Sequence, residues 1–246
     1  MSRFKLTLEY DGRAFQGWQR QKNGFSVQEA LETAVHAFSG ETVTVQGAGR
    51  TDAGVHATGQ VAHVDIEKPM SIENLQNAIN HYLRPHPAAV IKATEVTDDF
   101  HARFSATGRR YLYRIINRRA PLVLETGRAW HLPAMIEAEV MHEAAQRLIG
   151  KHDFTSFRSA ACQSKSPVKT LDRVAVQRIG DEIRVTLSAR SFLHHQVRNI
   201  VGTLKMIGDG KWPVDQMETI LEAKSRAAAG PTAPADGLYL TGVDYR

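Results

Sequence analysis

The chain has 246 residues, 42% hydrophobic and 23% charged, close to the averages of globular domains, so a packed core is available and wholesale disorder is excluded. No apolar run approaches the ~18 residues that a membrane span needs, and the single cysteine, Cys162, allows neither an internal disulfide nor a cysteine-based zinc site. The formal charge of +5 is modestly basic, and a soluble cytoplasmic protein, with no membrane partner, is the expectation.

The opening Met1–Gly12 stretch alternates like a strand and lacks the apolar core of a signal peptide. Val27, Ala30, Leu31, Ala34, Val35 and Phe38 then fall on one face of a helix. Ser26 with Glu29 forms a capping box at its start, and Gly40 can end it. A strand is predicted near Val43–Gln46, followed by glycines at 47, 49, 54 and 59, and another strand near Gln60–Ile66. Ser71 opens a helix to about Tyr82; Ala89–Val96 and Tyr111–Asn117 read as strands. Helices are predicted at Ile136–Ile149, at Leu193–Ile207 and from about Pro213, a residue suited to a first helical turn. Arg173–Ile179 and Glu182–Ala189 form a hairpin through Gly180-Asp181, and Leu238–Tyr245 is a closing strand. The stretches Arg158–Lys169 and Lys224–Gly237 read as loops. Both halves mix strands and helices in a similar order, which predicts an α+β architecture of two related halves, 1–105 and 106–246.

Charge is concentrated in one place. Between His101 and Arg128 lie seven arginines and one acid, Glu125, and no lysine. A guanidinium grips phosphate with two parallel bonds, which an ammonium cannot do. Interleaved with Tyr111 and Tyr113, these arginines suggest a nucleic-acid surface, although a solvated strand has the same composition. The two tyrosines share a strand face, where either base stacking or ordinary packing is served.

The densest signal is Gly47-Ala48-Gly49-Arg50-Thr51-Asp52-Ala53-Gly54-Val55-His56-Ala57. Its glycines permit sharp turns and close approach of a ligand, but the Gly-Lys-Ser/Thr ending of a phosphate loop is missing. An aspartate in such a loop is ordinarily a turn-former. In the helix around Phe192–Leu204, Arg198 borders the apolar face of Val197, Ile200, Val201 and Leu204. Partial burial there calls for a carboxylate partner, unless the side chain snorkels to water. Eleven histidines include no His-Glu-x-x-His and no closely spaced ligand triplet, which disfavours a metal-dependent hydrolase or deaminase. A non-catalytic RNA-binding module using the basic strand alone is the other rival, and it would have no need of Asp52.

Five ordered blocks resemble the tRNA pseudouridine synthase A family: Phe15–Gln21, Gly47–His63, Phe100–Ile115, Phe192–Leu204 and Ala233–Tyr245. The block Arg50–Ala57 is highly specific to that family, and Gly108 is the one departure from its pattern, at a position without an assigned role. The resemblance implies the pseudouridine synthase fold, a long, mainly antiparallel mixed sheet from two similar halves with helices packed outside. It implies a homodimer that isomerises uridine at positions 38, 39 and 40 of the tRNA anticodon arm, without metal or organic cofactor. By motif position, Asp52 is the expected nucleophile, Tyr111 stacks on the target base, and Arg198 pairs with Asp52. Arg50 is expected to fill the space of the extruded base or steady the flipped nucleotide, and His56, Arg109 and Arg110 are expected substrate contacts.

Overall fold

The computed structural model describes all 246 residues. The chain divides into two compact units, Met1–Thr107 with Tyr239–Arg246, and Gly108–Leu238. In the first unit the strands are β1 (Ser2–Tyr10), β2 (Gln46–Gly47), β3 (His56–Ile66) and β4 (Ala88–Val96), with helices α1 (Val27–Ser39) and α2 (Ile72–Leu83). Strand β1 pairs antiparallel with β3 on one side and β4 on the other. Alternation in β1 buries Phe4, Leu6, Leu8 and Tyr10, the period-2 pattern of a half-covered strand.

Helix α1 forms as its sequence dictates. The Ser26 hydroxyl accepts the Glu29 N–H at 3.2 Å, and Gly40 closes the helix in the left-handed region at φ 78°. Its face Val27, Ala30, Leu31, Ala34 and Val35 is buried; full burial of a leucine such as Leu31 is worth roughly 1.5–3 kcal/mol. Ser71 likewise caps α2 through the Asn74 N–H at 3.2 Å. The helices pack on each other and α2 packs on β4. The strand expected over Val43–Gln46 shrinks to two residues opposite Ala62 and His63, and β3 begins four residues earlier than expected, at His56.

The second unit contains β5 (Ala106–Asn117, entered from the first unit), β6 (Trp130–Leu132), β7 (Gly150–Asp153), β8 (Val168–Ile179) and β9 (Glu182–Ala189). Its helices are α3 (Ala138–Gln146), α4 (Gln196–Gly208) and α5 (Gln216–Ala223). Strands β5–β9–β8–β7 run antiparallel to one another, while β6 lies parallel to β5. The predicted hairpin is the β8–β9 pair, turning at Gly180-Asp181. Helix α3 packs on β8 and on α4. Strands β6 and β7 are too short for a periodic pattern and were not anticipated. The architecture is α+β, with a mixed, mainly antiparallel sheet.

The closing strand β10 (Leu238–Tyr245) belongs from Tyr239 onward to the first unit. Tyr239 and Leu240 pair parallel with His56 and Ala57 of β3. Tyr245 donates its hydroxyl to Ala102 O at 2.7 Å and packs on Phe100, with rings 5.1 Å apart. No helix is long and apolar enough to cross a membrane.

Beside this contact lies a pH-sensitive packing element. His63 is buried, and its Nδ1 accepts the Ala102 N–H at 3.2 Å, which requires that nitrogen to be unprotonated. Burial, with the nearby His101 and Arg3 charges, pushes its pKa down to about 4. An unfolded histidine protonates near pH ~6.5, so this element's stability is complete above that value and is lost as the pH falls towards 4. We expect the urea midpoint to drop between pH 7 and pH 5 in the parent and to drop less in His63→Gln, whose amide oxygen still accepts. An unchanged pH slope in the variant would contradict this.

Candidate active site

The loop 48–55 joins β2 to β3 and carries Arg50 and Asp52, with His56 at the head of β3. Thr51, immediately before Asp52, is fixed from two sides. Its carbonyl accepts the Trp18 N–H at 3.0 Å, and its hydroxyl shares a 2.8 Å hydrogen bond with Tyr10. Burial pushes the Tyr10 hydroxyl up to about 12, so it stays protonated throughout the working range. The Gln60 side-chain amide donates to Gly49 O at 2.9 Å. Gly17, at φ 87°, lies directly beneath: a Cβ there would sit 2.6 Å from Thr51 O, so any larger residue would displace the loop. This explains why the Phe15–Gln21 block contains a glycine before Trp18.

After Asp52 the chain turns sharply, with the Val55 N–H returning to Asp52 O at 3.1 Å. His56 then seals the underside. It is buried, its ring stacks on Tyr239 with centroids 4.7 Å apart, and its Nδ1 accepts the Gly12 N–H at 3.1 Å. That bond assigns the proton of the neutral ring to Nε2. Asp11, 3.3 Å from the same nitrogen, is held below the usual carboxylate range, first by its hydrogen bond to Arg13. Asp52 itself is half-buried on a backbone with contacts before and after it. The loop therefore presents Asp52 on a backbone set by the scaffold. Arg50 is exposed, and its Nε donates to Gln19 Oε1 at 3.1 Å.

The second unit holds Tyr111, Arg109, Arg110 and Arg198. Tyr111 lies on β5 opposite Leu187 and meets Phe192 edge-to-face at 5.0 Å. Two residues on, Tyr113 is fully buried and donates to Pro234 O at 2.9 Å. Burial raises its pKa, and the neighbouring Arg198 charge opposes that. Arg198, in the first turn of α4, is oriented by the loop that follows α5. Its Nε donates to Ala233 O at 2.8 Å, while the Ala233 N–H returns to Arg198 O at 3.1 Å. This loop lies against the helix because Gly202 leaves no side chain beneath Pro231 O. Thr203 Oγ1 accepts the Gly230 N–H at 3.0 Å, and Asn199 Oδ1 accepts the Thr232 hydroxyl at 2.7 Å. Sequence reasoning singled out Arg198 but not Asn199, Thr203 and Ala233, which set its geometry. The glycine inside an otherwise apolar helix face was the one available signal.

The arginine-rich window is less free than its local charge suggested. Arg114 is bonded to Glu182 at 2.8 Å and Glu125 at 2.7 Å, and Arg118 lies 3.6 Å from Asp181. Antiparallel pairing brings Glu182 and Asp181 from β9 and its turn alongside β5, so a count along the chain misses these two. Arg103 covers the exposed Phe104 ring. Arg109 is buried to 9% exposure and donates to Arg190 O at 2.6 Å, whereas Arg110 is exposed.

Comparison with known proteins is consistent with this architecture. A family model described as tRNA pseudouridine synthase matches residues 7–105 and 144–246. The chain is 60% identical to the tRNA pseudouridine synthase A of Rhodospirillum centenum and 58% identical to that of Parvibaculum lavamentivorans, each over 245 residues and the full length of both proteins. The protein of the same name from Zymomonas mobilis is 56% identical, again end to end. These full-length relatives also span 106–143, the stretch with Tyr111 that the family model leaves out. The chain belongs to the tRNA pseudouridine synthase family.

Proposed function

We propose that this protein isomerises uridine to pseudouridine at positions 38, 39 and 40 of the tRNA anticodon arm, with Asp52 as nucleophile. The observation that carries the reading is the 48–55 loop. It offers one half-buried carboxylate on a backbone fixed by Tyr10, Trp18 and Gln60, in a chain collinear with relatives named tRNA pseudouridine synthase A.

The reaction breaks the bond from ribose C1′ to uracil N1, turns the base, and forms a bond from C1′ to C5. The C5 proton is released and N1 gains one, so nothing is oxidised or reduced and no co-reactant is consumed. A paired base cannot turn, so the nucleotide leaves the helix at a cost of a few kcal/mol. Attack at C1′, addition to C6 and removal of a sugar proton all require an ionised carboxylate. In a pocket that sheds water that ionised form is disfavoured, and pairing with Arg198 offsets the penalty. Tyr111 stacks on the flipped base and helps move its proton. Arg50 occupies the vacated space or steadies the flipped nucleotide. Arg109 and Arg110 contact the RNA backbone, Arg110 as the exposed member of the pair. His56 contributes from beneath the loop. The enzyme acts as a cytoplasmic homodimer and needs neither metal nor organic cofactor.

The test is direct. An unmodified tRNA transcript with uridines at 38, 39 and 40, incubated with the purified protein and a chelator, should acquire pseudouridine in the anticodon arm when mapped by carbodiimide-dependent reverse-transcription stops. Modification confined to another arm, or turnover that returns only on adding zinc or manganese, would refute the proposal.

A further inference from the structure

Two buried polar residues on α1 have no place in the chemistry above. Gln28 and Glu32 are 6% and 9% exposed on a helix face otherwise given to the core. Burying an amide and a carboxylate there is costly unless every group is matched. They are matched, and the bonds form an ordered chain that ends at Arg50.

Glu32 is surrounded by donors. Its Oε1 accepts the Val45 N–H at 3.1 Å and the Gln28 amide at 2.9 Å, and its Oε2 accepts Arg20 Nη1 at 3.0 Å. Because Gln28 turns its NH₂ to that carboxylate, its oxygen faces the other way. That oxygen accepts the Arg20 N–H at 2.9 Å and Gln19 Nε2 at 2.7 Å. Gln19 thus turns its NH₂ towards Gln28, which leaves its oxygen facing Arg50, and that oxygen accepts Arg50 Nε at 3.1 Å. A carboxylate that only accepts stands at one end, and a guanidinium that only donates stands at the other. Between them the two amides have a single polarity that preserves every bond.

We infer that Glu32 is a positioning residue that orients Arg50 through the ordered amides of Gln28 and Gln19. Arg50 is exposed, and a long exposed side chain otherwise samples many rotamers. The relay ties its Nε to α1, so the guanidinium is held in place before RNA arrives. Preorganisation of this kind acts on the rate of the step it serves more than on affinity. The inference rests on the reading of Arg50 as the residue that manages the flipped nucleotide.

The isosteric Glu32→Gln substitution removes the acceptor that fixes the polarity and leaves the helix its shape. We expect kcat to fall by ~10-fold or more, as for other small misplacements of a working group, with tRNA Kd within a few-fold of the parent. Val35→Ala, a core change on the same helix, serves as the destabilised control and should retain parent kcat at a temperature where both variants are folded. The deciding measurement is a double-mutant cycle with Arg50→Ala. If Glu32 acts through Arg50, Glu32→Gln should change kcat less than about twofold in the Arg50→Ala background. An equal loss in both backgrounds would overturn the relay and leave the role of Arg50 standing. Parent-level turnover of Arg50→Ala itself would remove that role and the relay with it.

Discussion

Asp52→Ala protein is expected to fold like the parent and to lose pseudouridine formation by ~10⁴-fold or more, equivalent to roughly 5.5 kcal/mol of transition-state stabilisation. The two halves of that expectation have separate grounds. The turn after Asp52 is closed by its backbone carbonyl, which accepts the Val55 N–H, and alanine keeps that carbonyl. The loop before it is fixed through Thr51, Gly49 and Gly17, none of which the substitution alters. The side chain is only half-buried, so little core packing is lost. Catalysis has no such redundancy, since no other carboxylate lies in the 47–57 segment. Single-turnover release of tritium from 5-tritiated uridine in tRNA measures the effect. Activity within tenfold of the parent would remove Asp52 from its role.

Arg198→Met should produce the second largest loss, about 10²–10³-fold in kcat, the range seen when one preorganised electrostatic contact is removed from an active site. Methionine retains much of the length and apolar character of the stem but supplies no charge and no Nε–H. The bond to Ala233 O is lost, while the Ala233 N–H still reaches the backbone carbonyl at 198. The α4 helix also keeps its packing through Gly202 and Thr203. The thermal midpoint should therefore fall by only a few degrees, since one hydrogen bond is worth about 1 kcal/mol. Affinity for tRNA should hold within a few-fold, because the loss is confined to the chemical step. Unchanged turnover with weakened binding would reassign Arg198 to the RNA backbone.

Much of this was legible along the chain, for reasons that differ from element to element. Helix α1 announces itself because capping and apolar spacing are local, and Ser26, Glu29 and Gly40 behave as their positions require. The Asp52 loop is conspicuous through its glycines and its distinctive Arg-Thr-Asp block. What holds that loop is not visible in the same way. Tyr10, Trp18 and Gln60 come from separate segments, and each would pass for an ordinary core or strand residue. The arginine window carries less net charge in the fold than along the chain, because Glu182 and Asp181 reach it only through strand pairing. Short strands such as β6 and β7 have too few residues to display a period. The partnership of β10 with β3 depends on a parallel contact between distant segments, which neither periodicity nor composition encodes.

That partnership imposes an order on synthesis. The first unit needs Tyr239–Arg246, yet the ribosome delivers them after the whole of 108–238. At ~5–20 residues per second that delay is on the order of ten seconds. Throughout it, Gly59 has no Thr241 carbonyl to rest against and Phe100 no Tyr245 to cover it. The amino-terminal unit is thus completed only after the second unit has been made, and the loop carrying Asp52 gains its Tyr239 neighbour only then. A chain cut short before Tyr239 keeps Asp52, Tyr111 and Arg198 in its sequence but leaves the His56 side of the loop without its stacking partner.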